Sequence, residues 1–219
     1  LVESLRDSSS QERVTELARR LKTERWAIAQ RQLEIPKIPC RNGVVSSDPS
    51  AGYSDFLRTI DDAFSVRLEP AVMSGAAAVG SVSRAIAAAS GRADLVVVLR
   101  GGGAASGMEW ANDERVVRSV AGCPVPVWTA IGHATDRHLI DEVAQRAYAT
   151  PSQVGSDHTR QLLIDSAQAE LAAAEGARTM AVRESAIQSR RARRAQLILA
   201  VFALGVALAA AVGWSGFGW

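Results

Sequence analysis

Cysteine, lysine and aromatic side chains are scarce in this sequence, and each shortage closes off an option. Cys40 and Cys123 are the two cysteines in 219 residues. That is too few for a disulfide framework, and neither lies in a Cys-x-x-Cys or Cys/His cluster, so a reducing compartment without structural zinc is expected. Of the 25 basic residues only Lys22 and Lys37 are lysines; with the alanine runs this reads as compositional bias rather than function. Aromatics make up 5%, and there are 17 glycines and 7 prolines, which excludes collagen-like, mucin-like and wholly disordered chains. No Gly-Lys-Ser/Thr occurs, so a Walker loop is excluded. No repeat of 20–50 residues is found. Leu1 to Gln30 is charged throughout, unlike a signal peptide, and a first residue other than Met leads us to expect an upstream part.

What is present suits one α/β domain of roughly 100–150 residues with helical extensions. The formal net charge is +2, unevenly spread. Six arginines face one glutamate, Glu184, between Arg178 and Arg194, leaving the rest net acidic. A globally basic nucleic-acid binder is therefore excluded. Leu197 to Trp214 is 18 residues without a charge, enough at about 1.5 Å per residue to cross most of a bilayer core. Arg190, Arg191, Arg193 and Arg194 precede it, and Trp214, Phe217 and Trp219 lie at its far end. The expectation is a single pass over 196–214 in contact with membrane lipid, with the arginine side and the domain before it cytoplasmic and 215–219 a short tail. The alternative is a buried core helix. The basic segment 178–194 reads as a solvated topology signal rather than a lipid-binding site.

Residues 11–33 read as one amphipathic helix with Val14, Leu17, Ala18 and Leu21 on one face. Pro36 and Pro39 force an extended chain after it. Strands are expected at 43–47, 66–73, 95–99 and 125–131, and helices at about 51–64, 75–90, 109–120 and 135–148. Leu95-Val96-Val97-Val98-Leu99 has the continuous β-branched character of a strand buried on both faces. This alternation predicts an α/β fold, a Rossmann-like doubly wound, mostly parallel sheet. After Thr150-Pro151-Ser152 the chain should stay helical to the membrane. The expected organisation is an N-terminal helix over 1–34, the α/β domain over 35–155, a helical extension over 156–195 and the span.

Ligands of an open parallel sheet bind outside the carboxyl ends of its strands. Three polar or glycine-rich turns fall there: Ser46-Ser47-Asp48-Pro49-Ser50, Arg100-Gly101-Gly102-Gly103 and Gly132-His133-Ala134-Thr135-Asp136. The glycine turn suits a phosphate, since bare backbone N–H groups can reach its oxygens and Arg100 adds a forked charge. Gly101, Gly102 and Gly103 could equally be a structural turn. His133 could serve as general acid or base, with Asp136 one turn on to orient it or to cap the helix; a plain hydrogen-bonded turn histidine is the alternative. Asp141 reads as a surface charge, and His138 and His158 as solvated.

In order along the chain, Gly43-Val44-Val45-Ser46-Ser47, Leu99-Arg100-Gly101-Gly102-Gly103, Asn112-Asp113-Glu114, Ile131-Gly132-His133-x-Thr135-Asp136 and Thr150-Pro151-Ser152 resemble the catalytic domain of the exodeoxyribonuclease VII large subunit, over about 35–165. The resemblance implies hydrolysis of phosphodiester bonds in single-stranded DNA from its ends. It implies catalytic roles for Asp55, Arg100, His133 and Asp136; Ser47 and the three glycines are candidate phosphate-binding residues from their place in the turns. A small partner subunit would belong with it, and Mg²⁺ would be optional rather than required. The pattern departs after the glycines, where the family's acidic pair is lost and Glu109 alone could replace its charge. No counterpart of the family's N-terminal OB-fold appears in 1–34, and its long coiled coil is cut to about 40 residues. Two functions stay open: a membrane-tethered exodeoxyribonuclease, and a non-catalytic phosphate- or DNA-binding adaptor at the membrane.

Overall fold

The computed structural model describes residues 2–24, 26–36, 40–101, 107–132 and 138–214. Its core is a sheet of β1 (Arg41–Ser46), β2 (Ser65–Pro70), β3 (Leu95–Leu99), β4 (Val127–Ala130) and β5 (Arg146–Ala147), in the order β2-β1-β3-β4-β5. Every pairing is parallel. The helices are α1 (Val2–Thr23), α2 (Trp26–Arg31), α3 (Ala51–Leu57), α4 (Ala78–Ser90), α5 (Glu114–Ala121), α6 (Leu139–Val143) and α7 (Pro151–Trp214), with a 3₁₀ turn at Glu109–Asn112. The chain forms two compact units, Leu1–Asp165 and Ser166–Trp219.

Alternation along the strands splits the first unit into two cores. Val45, Val96, Val98 and Val127 pack with Val82 and Ile86 of α4, Val116, Val117 and Val120 of α5, Ile140 of α6 and Leu17 and Leu21 of α1. Val44, Leu95, Val97, Leu99 and Trp128 face the other way, onto Phe56 of α3, Phe64 and Val154 of α7. Covered on both faces, β3 is at most 1% exposed at each of its five residues, and each such side chain contributes about 1.5–3 kcal/mol of burial. This is the doubly wound fold that the sequence predicts.

Four elements differ from expectation, the first being the helix expected over 51–64, which ends at Leu57. The single helix over 11–33 is two helices, α1 and α2. Gln30 of α2 is wholly buried, donating to Cys123 O at 2.9 Å and accepting the Val127 N–H at 2.8 Å, so α2 joins the start of β4. Over 109–120 a 3₁₀ turn and α5 replace one helix, because Asp113 accepts the Arg115 N–H and starts α5 afresh. The helix expected to reach residue 148 ends at Val143, and Arg146–Ala147 form β5 instead. Gln145 holds that turn: its amide donates to Leu33 O at 2.7 Å and accepts from Trp128 Nε1 at 2.9 Å.

The second unit is the remainder of α7. Its side chains from Leu197 to Leu208 are exposed, with Leu197, Leu199, Phe202 and Leu204 at 66–71%. By length and composition this helix is able to cross a membrane.

Candidate active site

The strand order creates a switch point. From β1 the chain leads to α3, on the second core, and from β3 it leads to α5, on the first. Loops leaving neighbouring strands in opposite directions open a crevice beyond their carboxyl ends. The β1–β3 register runs from Asn42 opposite Leu95 to Val45 opposite Val98; two steps further bring Ser47 level with Arg100. On the other side Leu99 lies opposite Ala130 and the Arg100 N–H donates to Ala130 O at 3.0 Å, so Gly132 falls next to Gly101. All three polar turns thus leave from one edge of the sheet.

The two loops at the switch point touch. A Cβ on Gly52 would lie 2.5 Å from the Gly101 nitrogen, and a Cβ on Gly101 would lie 2.6 Å from the Gly52 nitrogen. Neither position can hold a side chain without backbone movement, so these glycines serve close approach. Ser50 sets the angle of α3, accepting the Tyr53 N–H at its N-cap and a hydrogen bond from Ser46 Oγ at 3.1 Å. Ser47 and Arg100 are half-buried. Asp55 follows Gly52 by three residues and its half-exposed carboxylate takes an ion pair from Arg58. Gly102, Gly103, His133 and Asp136 lie outside the described residues.

Two residues read from sequence as peripheral are not. Asp141 is half-buried and accepts from Thr129 Oγ1 on β4 and from the His138 N–H at 3.3 Å; burial pushes its carboxyl above the ordinary value. Spacing along the chain does not reveal this role, because the partner that buries Asp141, Thr129, lies on a strand. His158 is wholly buried, not solvated. Its Nδ1 bonds the Val154 carbonyl (2.9 Å), its Nε2 bonds the Asn42 side-chain amide (3.0 Å), and its ring lies edge-on to Trp128. Burial lowers its basicity. His138 is half-buried too, and its Nδ1 finds no partner among the described residues.

The Asn112-Asp113-Glu114 block turns out to be joinery. Asn112 Oδ1 accepts the Leu139 N–H at 2.8 Å, Asp113 caps α5, and Glu114 pairs with Arg20 of α1 and Arg118. Glu109, the candidate replacement for the missing acidic pair, is exposed and accepts the Gly107 N–H at 3.3 Å. Both thiols are buried, and burial pushes Cys40 up to about 11, which leaves it no thiolate character near neutrality. A groove of about 840 Å³ runs between α1 and the 109–118 stretch. Its Arg20, Arg115 and Arg118 are each paired with a carboxylate, so it offers no unbalanced positive charge to a polyanion.

The fold and this edge define a class: an open parallel α/β domain with an arginine and close-packed glycines at its switch point, suited to an anion such as phosphate. Comparison with known proteins narrows it. The family model described as exonuclease VII, large subunit, matches residues 26–204, and the chain belongs to that family. The exodeoxyribonuclease 7 large subunit of Nostoc sp. is 38% identical over 145 residues, 64% of this chain and 35% of that protein. That of Moorella thermoacetica is 37% identical over 142 residues, 63% and 35%. That of Deinococcus radiodurans is 36% identical over 170 residues, 71% and 41%. The chain spans about a third of the length of the first curated relatives it matches.

Proposed function

We propose that this chain hydrolyses phosphodiester bonds in single-stranded DNA from a domain tethered to the membrane by the apolar end of α7. The observation that carries the reading is the switch-point edge, where Arg100 leaves β3 beside Ser47 and Gly101 packs on Gly52, in a chain of the exonuclease VII large subunit family. In this reading Arg100 and the amides of Gly101, Gly102 and Gly103 hold the scissile phosphate and offset charge that develops in the transition state. His133 moves the proton to or from the attacking water or leaving oxygen, and Asp136 orients it. Asp55 joins them once Arg58 is drawn away by the phosphate. Asp136 and Asp55 could alternatively hold a divalent ion, so Mg²⁺ is optional in this reading and is varied in the assay. The arginines at 190–194 keep the domain cytoplasmic, and a small subunit is a candidate partner.

The deciding assay uses the full chain in detergent or nanodiscs with end-labelled single-stranded DNA, with and without Mg²⁺. Release of short oligonucleotides is expected, falling by about 10²–10⁴ in His133→Ala and similarly in Arg100→Ala. The adaptor reading draws on one specific observation, the Asp55 carboxylate engaged by Arg58. Binding of the strand without any product would establish it and end the nuclease reading.

A further inference from the structure

The segment between β4 and α6, which carries both His133 and Asp136 in sequence, is flanked by residues that side chains with no assigned role hold in place. Thr129, wholly buried on β4 one residue before the strand ends, donates from Oγ1 to Asp141. The same carboxylate accepts the backbone N–H of His138, where the turn meets α6. Next to it, Asn112 Oδ1 reaches across from the 3₁₀ turn to accept the Leu139 N–H at 2.8 Å. α6 has five residues and too few internal hydrogen bonds to hold its own start. These contacts hold Thr129 and His138, the described residues on either side of the segment.

We propose that Asp141 is a positioning residue for the reaction: by joining Thr129 Oγ1 to the His138 N–H, with Asn112 securing the next residue, it anchors the chain on both sides of the segment that contains His133 and Asp136 in sequence. The inference rests on the nuclease reading given above. A charged acceptor makes the stronger bonds here. A catalytic group misplaced by about 1 Å costs on the order of 10²-fold in rate, so a second layer of this kind acts on turnover rather than on substrate binding. A residue that merely caps α6 would instead lower the amount of folded protein and leave the kinetics of the remainder unchanged.

The test compares Asp141→Ala, Asp141→Asn, Thr129→Val and Thr129→Ser in the full chain, each normalised to folded protein. Asp141→Ala and Thr129→Val should lower kcat by about 30–100-fold with KM within about twofold. Asn at 141 accepts the His138 N–H and donates to Thr129 Oγ1, so it should restore most of kcat, as Thr129→Ser should. If Asp141→Ala does not fold, the Thr129 pair decides. Unchanged kcat in the folded variants overturns the proposal. If the wild-type chain binds DNA but never turns over, the nuclease reading fails on its own, and the imidazole resonances of His133 then report on positioning. A shift of its titration midpoint by about half a unit or more in Asp141→Ala or Thr129→Val supports the clamp, and an unmoved midpoint overturns it.

Discussion

One helix, α7, lives by two sets of rules. Over its first three turns it is part of a protein interior: Val154 and Gly155 are buried, His158 is bonded to Asn42, and Asp157 takes Arg146 at 2.9 Å and the Tyr148 hydroxyl at 2.6 Å. From Ser166 to Ala210 its side chains lie open, including the leucines and valines that follow Arg194 in that range. Water does not favour such a run. The first stretch is held by partners within its own unit, and the second contains a run long and apolar enough to cross a membrane. The glycines mark the change most sharply. A Cβ on Gly155 would meet Thr59 Oγ1, Phe56 O at 2.8 Å and Ile60 N at 2.9 Å, whereas one on Gly176 or Gly205 would meet nothing within 4 Å.

The largest expected effect breaks the second stretch and spares the first. Leu204→Arg with Leu208→Arg places two charges near the centre of the apolar run, each costing about 2.5–3.5 kcal/mol in a bilayer. The chain should move from the membrane fraction to the soluble fraction, with the melting of the Leu1–Asp165 unit unchanged. Retention in the membrane would give that role to another segment.

Next, Gly155→Ala should destabilise the first unit by about 1–3 kcal/mol, because the backbone of α3 has nowhere to go. That corresponds to a fall in Tm of roughly 2–4 °C per kcal/mol for a chain of this size.

His158 offers a pH readout of intermediate size. Its folded pKa lies below the ordinary 6.5, so the unfolded chain binds the proton more readily. Stability is complete above about 6.5 and falls as pH drops through the folded value, by at most about 1.4 kcal/mol per pH unit. Chemical denaturation of wild type and His158→Gln between pH 7.5 and 5, a range of roughly that window, should show the wild-type slope and a flatter one in the variant; equal slopes would remove His158 from the account. The smallest effect is a gain: Gly176→Ala, in open helix, should add up to about 1 kcal/mol of helix stability. A loss there would reveal a contact on that stretch.

Much of the fold was legible because it is written in periodicity. Leu95–Leu99 coincides with its strand, since five apolar residues in a row have no solvent face to alternate with. Val14, Leu17, Ala18 and Leu21 do face the core as their spacing implied. β5 was not legible: two residues, Arg146 and Ala147, carry no pattern, and only the ladder with Trp128 and Thr129 makes them a strand. For the site, turn positions follow from strand ends, so Ser47, Arg100 and His133 were expected together at one edge; Ser47 and Arg100 leave neighbouring strands there, and His133 lies outside the described residues. Gly52 could not be named in advance, because its need for a bare α-carbon arises from Gly101, far away in sequence. Asp141 and His158 were misjudged for the same reason. Their partners, Thr129 and Asn42, lie on strands, and local spacing says nothing of what a strand places next to a helix.

By itself, then, the sequence determined the alternation of strands and helices, the uncharged run before Trp214 and the family to which the chain belongs, because all three are carried by local order along the chain. Which polar groups are buried, and in whose company, was decided only when the sheet closed. Desolvation makes a histidine or an aspartate consequential, and it arises from packing between elements: Thr129 of β4 against Asp141 of α6, and Asn42 of β1 against His158 of α7.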